Sequence, residues 1–410
     1  MMPIAADAHR NTPTVLVTVT GRDRPGVTSR LFEVLDDYPV EVIDIEQVTV
    51  RGQVVLGVLV TAPGAQAASD NLENELRNVG RELGLSVGVS SGHGDRRRAP
   101  GRAHVNVLGS PLRPSAMASL SAGVNAVGAN IDRIHRLASY PVVSIELQVS
   151  GVDPAELRRS LASIGAAEGF DVAVQPSGLL RRAKRLVVMD VDSTLVQGEV
   201  IEMLGAHVGV LEQIADVTAQ AMRGELDFAD SLRARVSMLE GLPASVLDDV
   251  RSEVQLTPGA RTLVRTLKRL GFSVGIVSGG FSQVTDGLVT ELGLDYAAAN
   301  TLEVVDGQLT GQLVGPILDR AGKAEALARF ATDAEIPLAQ TVAVGDGAND
   351  LDMIAAAGLG VAFNAKPAVR DAADTAVNVP YLDTILYLLG ISREDIEAAE
   401  VDDAVGASID

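Results

Sequence analysis

The sequence of 410 residues contains no cysteine and no tryptophan. Without cysteine, the chain can form neither a disulfide bond nor a thiolate-based metal site or nucleophile. Aromatic residues make up only 3% of the chain, although hydrophobic residues reach 47%, so its cores must consist mostly of Val, Leu, Ile and Ala. This composition is typical of an α/β protein, and the length predicts several domains of about 150 residues each.

Positive charge and long apolar segments are also scarce. The chain has 34 Lys and Arg residues against 54 Asp and Glu residues, and its formal net charge of −20 disfavours binding to DNA or RNA. No segment approaches the roughly 20 consecutive apolar residues of a transmembrane helix, and the first residues lack the apolar stretch of a secretion signal. We therefore expect a cytoplasmic protein that binds neither nucleic acids nor membranes.

The first part of the chain contains the same order of predicted elements twice. Strand-like and helical runs follow one another as βαββαβ over residues 13–89, and the same order returns over residues 104–175. We interpret this pattern as an internal duplication. Polar and basic segments predict two linkers, at residues 90–103 and 175–184, and the second is expected to be a solvated hinge.

Short motifs support the duplication and carry a family resemblance. The motif Val-Thr-Val ahead of Gly21 returns as Val-Asn-Val ahead of Gly109. Both halves resemble ACT domains, ferredoxin-like modules that often bind amino acids and pair with one another. The first half has the family's D-x-P-G turn as Asp23-Arg24-Pro25-Gly26, whereas the second has Arg113-Pro114-Ser115 and no glycine there.

The resemblance to ACT domains implies an amino-acid effector and a pairing mode. The effector would bind near the turn, with Gly21 and Gly109 as candidate contacts, and two chains would form a homodimer through these domains. The alternative interpretation of both glycines is structural, because glycine adopts positive φ in a turn without steric cost.

Two carboxylates follow the apolar run Leu186–Met189, which is typical of a buried parallel strand. Asp190 and Asp192 thus stand at the carboxyl end of a strand, where α/β sheets bind ligands. Hydrolysis of a phosphate ester needs a nucleophile and a group that protonates the leaving alcohol. Asp190 is the candidate nucleophile and Asp192 the candidate proton donor and acceptor. The alternative is that Asp192 only caps a helix.

Two further segments carry groups that suit a phosphate. A strand predicted over residues 272–277 leads to Ser278 and Gly279, whose hydroxyl and backbone N–H groups at a helix start could bind phosphate oxygens. Lys323, at the start of another predicted helix, could bind the same phosphate through its ammonium group. Taken alone, the segment that contains Ser278 and Gly279 would be interpreted as an ordinary turn, and Lys323 as a surface lysine.

A third strand end is acidic. The apolar run Thr341–Val344 leads into Gly-Asp-Gly-Ala-Asn-Asp at residues 345–350. Carboxylate and carbonyl oxygens are the ligands that Mg²⁺ prefers. The predicted magnesium ligands are Asp190, Asp346 and the main-chain carbonyl of Asp192.

Two residues of the same turn are assigned supporting roles. Asp350 is predicted to orient the metal ligands or to pair with Lys323, and Asn349 to contact the substrate or a metal-bound water. The order of these motifs resembles the haloacid dehalogenase-like superfamily, which implies a Rossmann-like doubly wound parallel sheet over residues 185–396. The presence of Asp192 is typical of the superfamily's phosphatases and not of its dehalogenases.

A mostly helical stretch at about residues 199–256 is predicted to form a cap over this sheet. Within the superfamily, the segments DVDSTLVQGEVIE, AMRGELDFADSLRARVSML, VGIVSGGF and VAVGDGANDLDM resemble the phosphoserine phosphatases. The resemblance implies that Glu199 binds the substrate's ammonium group and Arg235 its carboxylate, and that Met222 and Phe228 close the pocket. The alternative is that Glu199 and Arg235 lie on solvated helix faces.

The resemblance further implies a reaction and its control. The reaction is hydrolysis of O-phospho-L-serine to L-serine and phosphate through a phosphoaspartyl intermediate with Mg²⁺, the last step of serine biosynthesis, with serine as a feedback effector at the ACT domains. One alternative is another phosphatase or a phosphomutase of the superfamily, which would not need Glu199 and Arg235. Another is a non-catalytic, amino-acid-sensing phosphoacceptor protein, which would not need Asp192. Residues 397–410 are predicted to form a disordered acidic tail, to which we assign no function.

Overall fold

The computed structural model describes residues 12–93, 101–222 and 226–406. The chain divides into two compact units, Met1–Arg97 and Arg98–Asp410, which are described separately. Within the described residues, no helix has both the length and the apolar character needed to cross a membrane.

The first unit is a four-stranded antiparallel sheet packed against two helices. Alternate residues of its central strands, such as Val17 and Leu56, are fully buried against helix residues such as Leu72 and Leu76. The sheet order is β2-β3-β1-β4, as the predicted βαββαβ fold requires. The elements are β1 (Pro13–Arg22), α1 (Val27–Asp36), β2 (Val42–Val50), β3 (Gln53–Thr61), α2 (Gln66–Leu83) and β4 (Leu85–His93).

The linker predicted at residues 90–103 is too long. Strand β4 continues to His93, which pairs with Pro13, and the next strand already begins at Arg102. The polar residues at these strand ends form backbone hydrogen bonds that do not depend on apolar side chains, so hydrophobic patterning does not detect them. Residues 94–100 lie outside the described residues.

The two candidate effector glycines differ in conformation. Gly21 has φ of 151°, and a Cβ atom there would lie 2.6 Å from Leu85 Cδ2. Gly109 does not adopt positive φ, so the alternative interpretation applies to Gly21 alone. A Cβ atom at Gly109 would instead approach Leu112 at 3.2 Å. Effector binding at either glycine stays a prediction.

The second unit begins with the second βαββαβ repeat and continues into a larger α/β domain. The repeat consists of β5 (Arg102–Gly109), α3 (Pro114–Ala126), β6 (Asn130–Ala138), β7 (Val143–Ser150), α4 (Pro154–Glu168) and β8 (Asp171–Pro176). The strands that follow are β9 (Leu186–Asp190), β10 (Ser273–Phe281), β11 (Tyr296–Val305), β12 (Gln308–Val314), β13 (Thr341–Gly345), β14 (Gly360–Phe363) and β15 (Thr375–Val377).

Helices surround these strands and form a separate layer ahead of β10. The helices between β8 and β10 are α5 (Leu179–Arg182), α6 (Val200–Val208), α7 (Leu211–Met222), α8 (Phe228–Ser237), α9 (Val246–Glu253) and α10 (Ala260–Arg269). The later helices are α11 (Ser282–Leu292), α12 (Arg320–Asp333), α13 (Leu351–Ala356), α14 (Pro367–Ala372), α15 (Ile385–Leu388) and α16 (Arg393–Gly406).

The predicted doubly wound sheet is confirmed. Strands β11-β10-β9-β13-β14-β15 are parallel neighbours in that order, with β12 antiparallel at the edge. The chain runs outward from β9 on one side and returns to β13 on the other, so the strand order reverses between β9 and β13. In open α/β sheets, ligands bind at the carboxyl ends of the strands beside such a reversal.

Strand β9 is buried on both faces. Val187 and Met189 pack in one core cluster, which also contains Leu263 of α10. Leu186 and Val188 pack in another cluster, which contains residues of α12. A central strand covered on both faces explains the continuous apolar run ahead of Asp190.

Helices α6 to α9, which precede β10 along the chain, form the helical layer. They occupy most of the cap segment predicted at about residues 199–256. The chain enters and leaves this layer through neighbouring segments, which are joined by a bridge between Val196 and Leu256. Its last loop also pairs with β12, where Pro243 lies opposite Gln308.

The sheet of the second repeat continues into the parallel sheet. Strand β8 pairs antiparallel with β15, with Ala173 opposite Thr375, and the result is a sheet of eleven strands. The carboxylate of Asp171 accepts hydrogen bonds from the backbone N and the Nδ2 of Asn378, both at 2.6 Å. The repeat and the larger domain therefore share one continuous backbone scaffold.

The prediction of a solvated hinge at residues 175–184 is wrong. Arg181 and Lys184 are 8% and 5% exposed. Lys184 donates a hydrogen bond of 2.7 Å to the carbonyl of Ala339, and Arg181 forms an ion pair with Glu146 of β7. A basic run resembles a surface segment in sequence because the buried partners of its side chains lie far away along the chain.

The predicted disordered tail is also wrong over most of its length. Helix α16 continues through residues 397–406, and residues 407–410 lie outside the described residues. Ile396 is 2% exposed and packs in the core cluster that contains Val187 and Met189 of β9. Glu400 forms an ion pair with Arg265 of α10. One buried apolar residue and ion pairs thus stabilise a helix whose composition is mostly polar.

The buried Glu146–Arg181 pair generates a prediction about stability. Burial alone would raise the pKa of Glu146, but the hydrogen bond with His104 and the charge of Arg181 outweigh it and lower this pKa. For Arg181, burial outweighs the attraction of Glu146 and lowers its pKa, so an unpaired Arg181 would be unfavourable. We expect Glu146→Ala to reduce the free energy of unfolding by about 3–5 kcal/mol at neutral pH.

Urea unfolding followed by circular dichroism measures this change. Because the pKa of Glu146 is lowered on folding, its contribution is full above its ordinary value of 4.5 and is lost as the pH falls below it. The difference between wild type and variant should therefore shrink at acidic pH. The control is Glu394→Ala, which breaks an exposed pair with Arg136 and should cost less than about 0.5 kcal/mol. Equal effects of the two variants would contradict the prediction.

Candidate active site

Asp190 and Asp192 lie on a tight turn at the end of β9. The strand ends at Asp190, and the next five residues form a single turn in which Ser193 adopts φ of 58°. This turn directs the carboxylate of Asp192 toward two neighbouring elements. Its Oδ1 accepts a hydrogen bond of 2.8 Å from the backbone N of Val200, and its Oδ2 accepts one of 3.1 Å from the hydroxyl of Ser278.

Lys323 is fully buried between two carboxylates. It lies in the first turns of α12, which begins after the capping residue Asp319. Its ammonium group donates hydrogen bonds of 2.6 Å to Asp190 Oδ1 and 2.7 Å to Asp350 Oδ1. The interpretation of Lys323 as a surface lysine is therefore wrong, and the predicted contact between Lys323 and Asp350 is present.

Asp350 also fixes the acidic turn after β13. Its Oδ2 accepts a hydrogen bond of 2.9 Å from the backbone N of Gly347. A Cβ atom at Gly345 would collide with the Asp350 carboxylate, so glycine is required at that position. Asp346 projects from the same turn, and its Oδ1 accepts a hydrogen bond of 3.4 Å from the hydroxyl of Thr194.

Three carboxylates converge at this sheet edge. Oxygen atoms of Asp190, Asp346 and Asp350 all lie within 4.8 Å of one another. Burial raises the pKa of Asp190 well above its ordinary value, the charge of Asp350 adds to this effect, and Lys323 opposes it. Burial and Asp350 likewise raise the pKa of Asp346 to about 6. Carboxylates that outnumber the local cations, with oxygen as the only donor atom, fit a hard divalent cation such as Mg²⁺.

Residues 278–280, hereafter the Ser278 loop, lie beside this cluster. The backbone N of Gly280 donates a hydrogen bond of 2.8 Å to Ser278 Oγ, and a Cβ atom at Gly280 would lie 3.0 Å from Asp192 Oδ2. The sequence predicted that these residues start a helix, but β10 continues to Phe281 and α11 begins at Ser282. The strand extends further because pairing with β11 resumes at Phe281 after a register shift.

Glu199 and Arg235 are half-buried residues of the helical layer that lie close to the same site. Glu199 precedes α6, and its Oε1 accepts a hydrogen bond of 3.2 Å from Ser193 Oγ. Burial, together with the charges of Asp192 and Asp346, raises the pKa of Glu199 to about 7. Burial lowers the pKa of Arg235, whereas the charges of Glu199 and Asp192 oppose that shift. The two side chains therefore do not lie on solvated helix faces.

The remaining predicted residues are only partly described. Phe228, at the start of α8, lies over the Ser278 loop, because a Cβ atom at Gly279 would be 3.3 Å from its Cζ. Asn349 is half-buried in the turn that contains Asp350. Met222 ends α7, but its side chain lies outside the described residues.

Sequence reasoning missed three residues that support the site. Thr194, which contacts Asp346, belongs to the D-x-D-x-T motif, so the motif itself was a signal. Thr257 donates a hydrogen bond of 2.7 Å to the carbonyl of Thr194. Its position directly after the predicted cap segment was the sequence feature that could have pointed to it. Asn300 donates a hydrogen bond of 2.8 Å to the carbonyl of Gly279. Its signal was weak: one polar residue within a strand-like run.

Comparison with known proteins agrees with the class that the fold and the site define. The model of the haloacid dehalogenase-like hydrolases matches residues 187–355, and models of the ACT domain match residues 13–90 and 102–175. Among solved structures, a HAD family hydrolase from Salmonella enterica serovar Typhi is 29% identical with a TM-score of 0.62. The match covers 70% of this chain and 98% of that one.

Relatives of full length narrow this class. The chain is 60% identical to a phosphoserine phosphatase of Streptomyces coelicolor over 97% of both chains. It is 53% identical to one of Mycobacterium tuberculosis over 95% of this chain and 96% of the other. The structure of a probable phosphoserine phosphatase from Vibrio cholerae is 36% identical with a TM-score of 0.57, covering 72% of this chain and 88% of that one. The chain belongs to the phosphoserine phosphatase family.

Proposed function

We propose that this protein hydrolyses O-phospho-L-serine to L-serine and phosphate, as the last step of serine biosynthesis in the cytoplasm. The observation that carries the proposal is the position of Asp190, which is buried at the strand reversal, is held by Lys323 and lies beside a second carboxylate, Asp192. The names of the full-length relatives support the same substrate.

The described residues would divide a two-step reaction between them. The Asp190 carboxylate attacks phosphorus, the bond between phosphorus and the serine oxygen breaks, and Asp192 donates a proton to that oxygen. A water molecule then attacks the aspartyl phosphate, Asp192 accepts a proton from this water, and the bond to Asp190 breaks. Ser278 and Lys323 would bind the phosphate oxygens during both steps.

The metal belongs to this proposal. Asp190, Asp346 and the main-chain carbonyl of Asp192 would hold Mg²⁺, and Asp350 would orient the turn that carries Asp346. Bound Mg²⁺ would supply positive charge to offset that of the phosphate. Asn349 would contact the substrate or a metal-bound water.

Glu199 and Arg235 account for the choice of substrate. Phosphoserine carries an ammonium group and a carboxylate, which complement a carboxylate and a guanidinium that both face the reacting groups. Phe228 and Met222 would close the pocket around the serine portion. A sugar phosphate has no charged partner for either Glu199 or Arg235, so this pair favours phosphoserine over the substrates of other superfamily phosphatases.

Replacing the nucleophile tests the reaction itself. We expect Asp190→Asn to abolish phosphate release from phosphoserine, because an amide cannot form the covalent intermediate, and we expect chelation by EDTA to abolish it in the wild type. Asp352→Asn is the control, since Asp352 forms a partly exposed ion pair with Arg320 and should be dispensable. Circular dichroism checks that both variants fold. Phosphate release by folded Asp190→Asn would refute the mechanism.

Variants of the charged pair test the substrate. Glu199→Gln and Arg235→Met each remove one charge-assisted hydrogen bond worth about 1.5–3 kcal/mol, so KM for phosphoserine should rise roughly 10- to 150-fold. Hydrolysis of p-nitrophenyl phosphate, which lacks both charged groups, should change little. Arg233→Met on the exposed side of α8 is the control. Equal losses on both esters would contradict the assignment of these residues to substrate recognition.

The proposal includes regulation through the N-terminal repeats. An amino acid, with serine as the first candidate, would bind near Gly21 or Gly109, and two chains would pair through these repeats. The ACT-domain matches support this idea, and so do the exposed apolar residues Leu16, Ile45 and Val48, at 38–54% exposure, in the first unit.

Hydrogen exchange and light scattering test the regulation. We expect L-serine to slow amide exchange in the repeats, over residues 13–93 or 102–175, and to inhibit the hydrolysis of phosphoserine. We also expect light scattering to give the mass of two chains. D-serine is the control ligand. Inhibition without any protection of the repeats would refute an effector site, and a monomeric mass would refute the pairing.

A further inference from the structure

Asn300 is a buried residue whose carboxamide group is bonded at both ends. It lies in β11 and is 3% exposed. Its Nδ2 donates a hydrogen bond of 2.8 Å to the carbonyl of Gly279, and its Oδ1 accepts one of 2.7 Å from the backbone N of Leu318. The side chain therefore joins the Ser278 loop to the segment that leads into α12.

The bond to Gly279 replaces a missing backbone contact. Strands β10 and β11 pair in register up to Ser278 and Ala299, and the register then shifts before Phe281 pairs with Asn300. Gly279 and Gly280 fall within this shift, where the regular strand ladder is interrupted. The Asn300 side chain bridges the interruption by binding the carbonyl of Gly279.

This bond also orients the groups nearest the reaction. A peptide unit is planar, so a fixed carbonyl at Gly279 fixes the direction of the N–H group of Gly280. That N–H group donates to Ser278 Oγ at 2.8 Å, and the Ser278 hydroxyl donates to Asp192 Oδ2 at 3.1 Å. Three hydrogen bonds, joined by the peptide unit between Gly279 and Gly280, thus connect Asn300 to Asp192 through the Ser278 loop.

The other end of the carboxamide acts on the helix that carries the lysine. Leu318 directly precedes Asp319, the residue that caps α12, and Lys323 follows in the first turns of that helix. By accepting the N–H group of Leu318, Asn300 fixes the entry of the chain into α12. The positions of both phosphate-binding groups of the proposed mechanism, Ser278 and Lys323, thereby depend on one buried side chain.

We propose that Asn300 is a positioning residue for phosphate: it holds the Ser278 loop and the start of α12 in the relative arrangement that binds the phosphate group, without touching the substrate. This inference rests on the proposed function. It differs from a purely structural role because it predicts that the affinity for phosphate depends on Asn300, whereas the affinity for the serine portion does not.

The test variants are Asn300→Asp, which keeps the acceptor for Leu318 but in its ionised form lacks the donor to Gly279, and Asn300→Ser, which shortens the side chain without adding a charge. The control is Gln175→Glu, because Gln175 is also a buried carboxamide that donates to a backbone carbonyl, that of Leu388 at 2.8 Å, in the contact between β8 and the end of α15. Asn300→Asp and Gln175→Glu both convert an amide that donates to a carbonyl into an acid. Only one of them lies beside the Ser278 loop.

We expect Asn300→Asp to lower kcat for phosphoserine by roughly 10- to 100-fold and to weaken inhibition by inorganic phosphate at least 10-fold, less than the roughly 10²- to 10³-fold loss when a donor that itself contacts the reacting oxygen is removed. Inhibition by L-serine at the substrate site, which Glu199 and Arg235 provide, should change less than twofold. Gln175→Glu should alter stability but neither inhibition constant. Loss of stability in Asn300→Asp with unchanged phosphate inhibition would overturn the proposal.

Two further measurements keep the test decisive. Asn300→Ser is measured in the same way, and wild-type phosphate affinity in that variant would overturn the proposal, whether or not Asn300→Asp folds. Calorimetric titration with inorganic phosphate and Mg²⁺ requires no turnover. If the wild type failed to hydrolyse phosphoserine, the proposed function would fail, while the titration of wild type against Asn300→Asp would still decide the role of Asn300.

Discussion

The buried ammonium group of Lys323 is the interaction on which the rest of the site depends. The strand order places β9 beside β13, so the carboxylates of Asp190 and Asp350 come together in a region without solvent, where like charges repel strongly. Lys323 contacts both at 2.6 and 2.7 Å, and their charges raise its pKa although burial alone would lower it. A neutral residue there would leave two buried carboxylates without a counter-charge, and one of them would take up a proton. The ionised form of the proposed nucleophile is therefore linked to the position of α12.

The positive charge of one ammonium group does not balance the negative charges at this end of the sheet. Asp190, Asp192, Asp346 and Asp350 all lie within or beside it, and a phosphate would bring further negative charge. The Ser278 loop supplies hydrogen-bond donors but no formal charge. A bound divalent cation satisfies this electrostatic requirement, which is the physical reason for including Mg²⁺ in the proposed mechanism. The charge of Glu199 acts on Arg235 in the same region, and in the proposed mechanism these two opposite charges would bind a zwitterionic substrate.

The sequence predicted what depends on neighbouring residues and missed what depends on distant ones. The apolar run before Asp190, the acidic turn at residues 345–350 and both βαββαβ repeats follow from local patterns, and the fold class is confirmed. Burial of Arg181 and Lys184 was not predictable, because their partners, Glu146 and Ala339, are remote in sequence. The continuation of helix α16 through residues 397–406 was missed for a similar reason, since Ile396 is the one buried residue among the helix side chains that the structure describes. Asn300 shows most clearly what the sequence cannot predict. Its residue type fits a turn as well as a strand, and its side chain finds a hydrogen-bond acceptor at Gly279 only because the pairing of β10 with β11 is interrupted there.

The two repeats share a fold but not an environment, and this difference bears on how regulation could work. In β1 of the first unit, Leu16, Thr18 and Thr20 face away from the helices and are exposed. At the corresponding positions of β5, Asn106 and Leu108 are 0% and 2% exposed, because the end of the larger domain covers them and Tyr387 accepts a hydrogen bond from Asn106. One sheet face of the second repeat is thus covered by the segment around α15, and one strand edge, that of β8, pairs with the parallel sheet. Ligand binding to the second repeat would act directly on β15, which β14 separates from β13 and Asp346. The βαββαβ fold itself therefore does not determine whether this sheet face is buried: in the second repeat it is buried because the larger domain of the same unit packs on it.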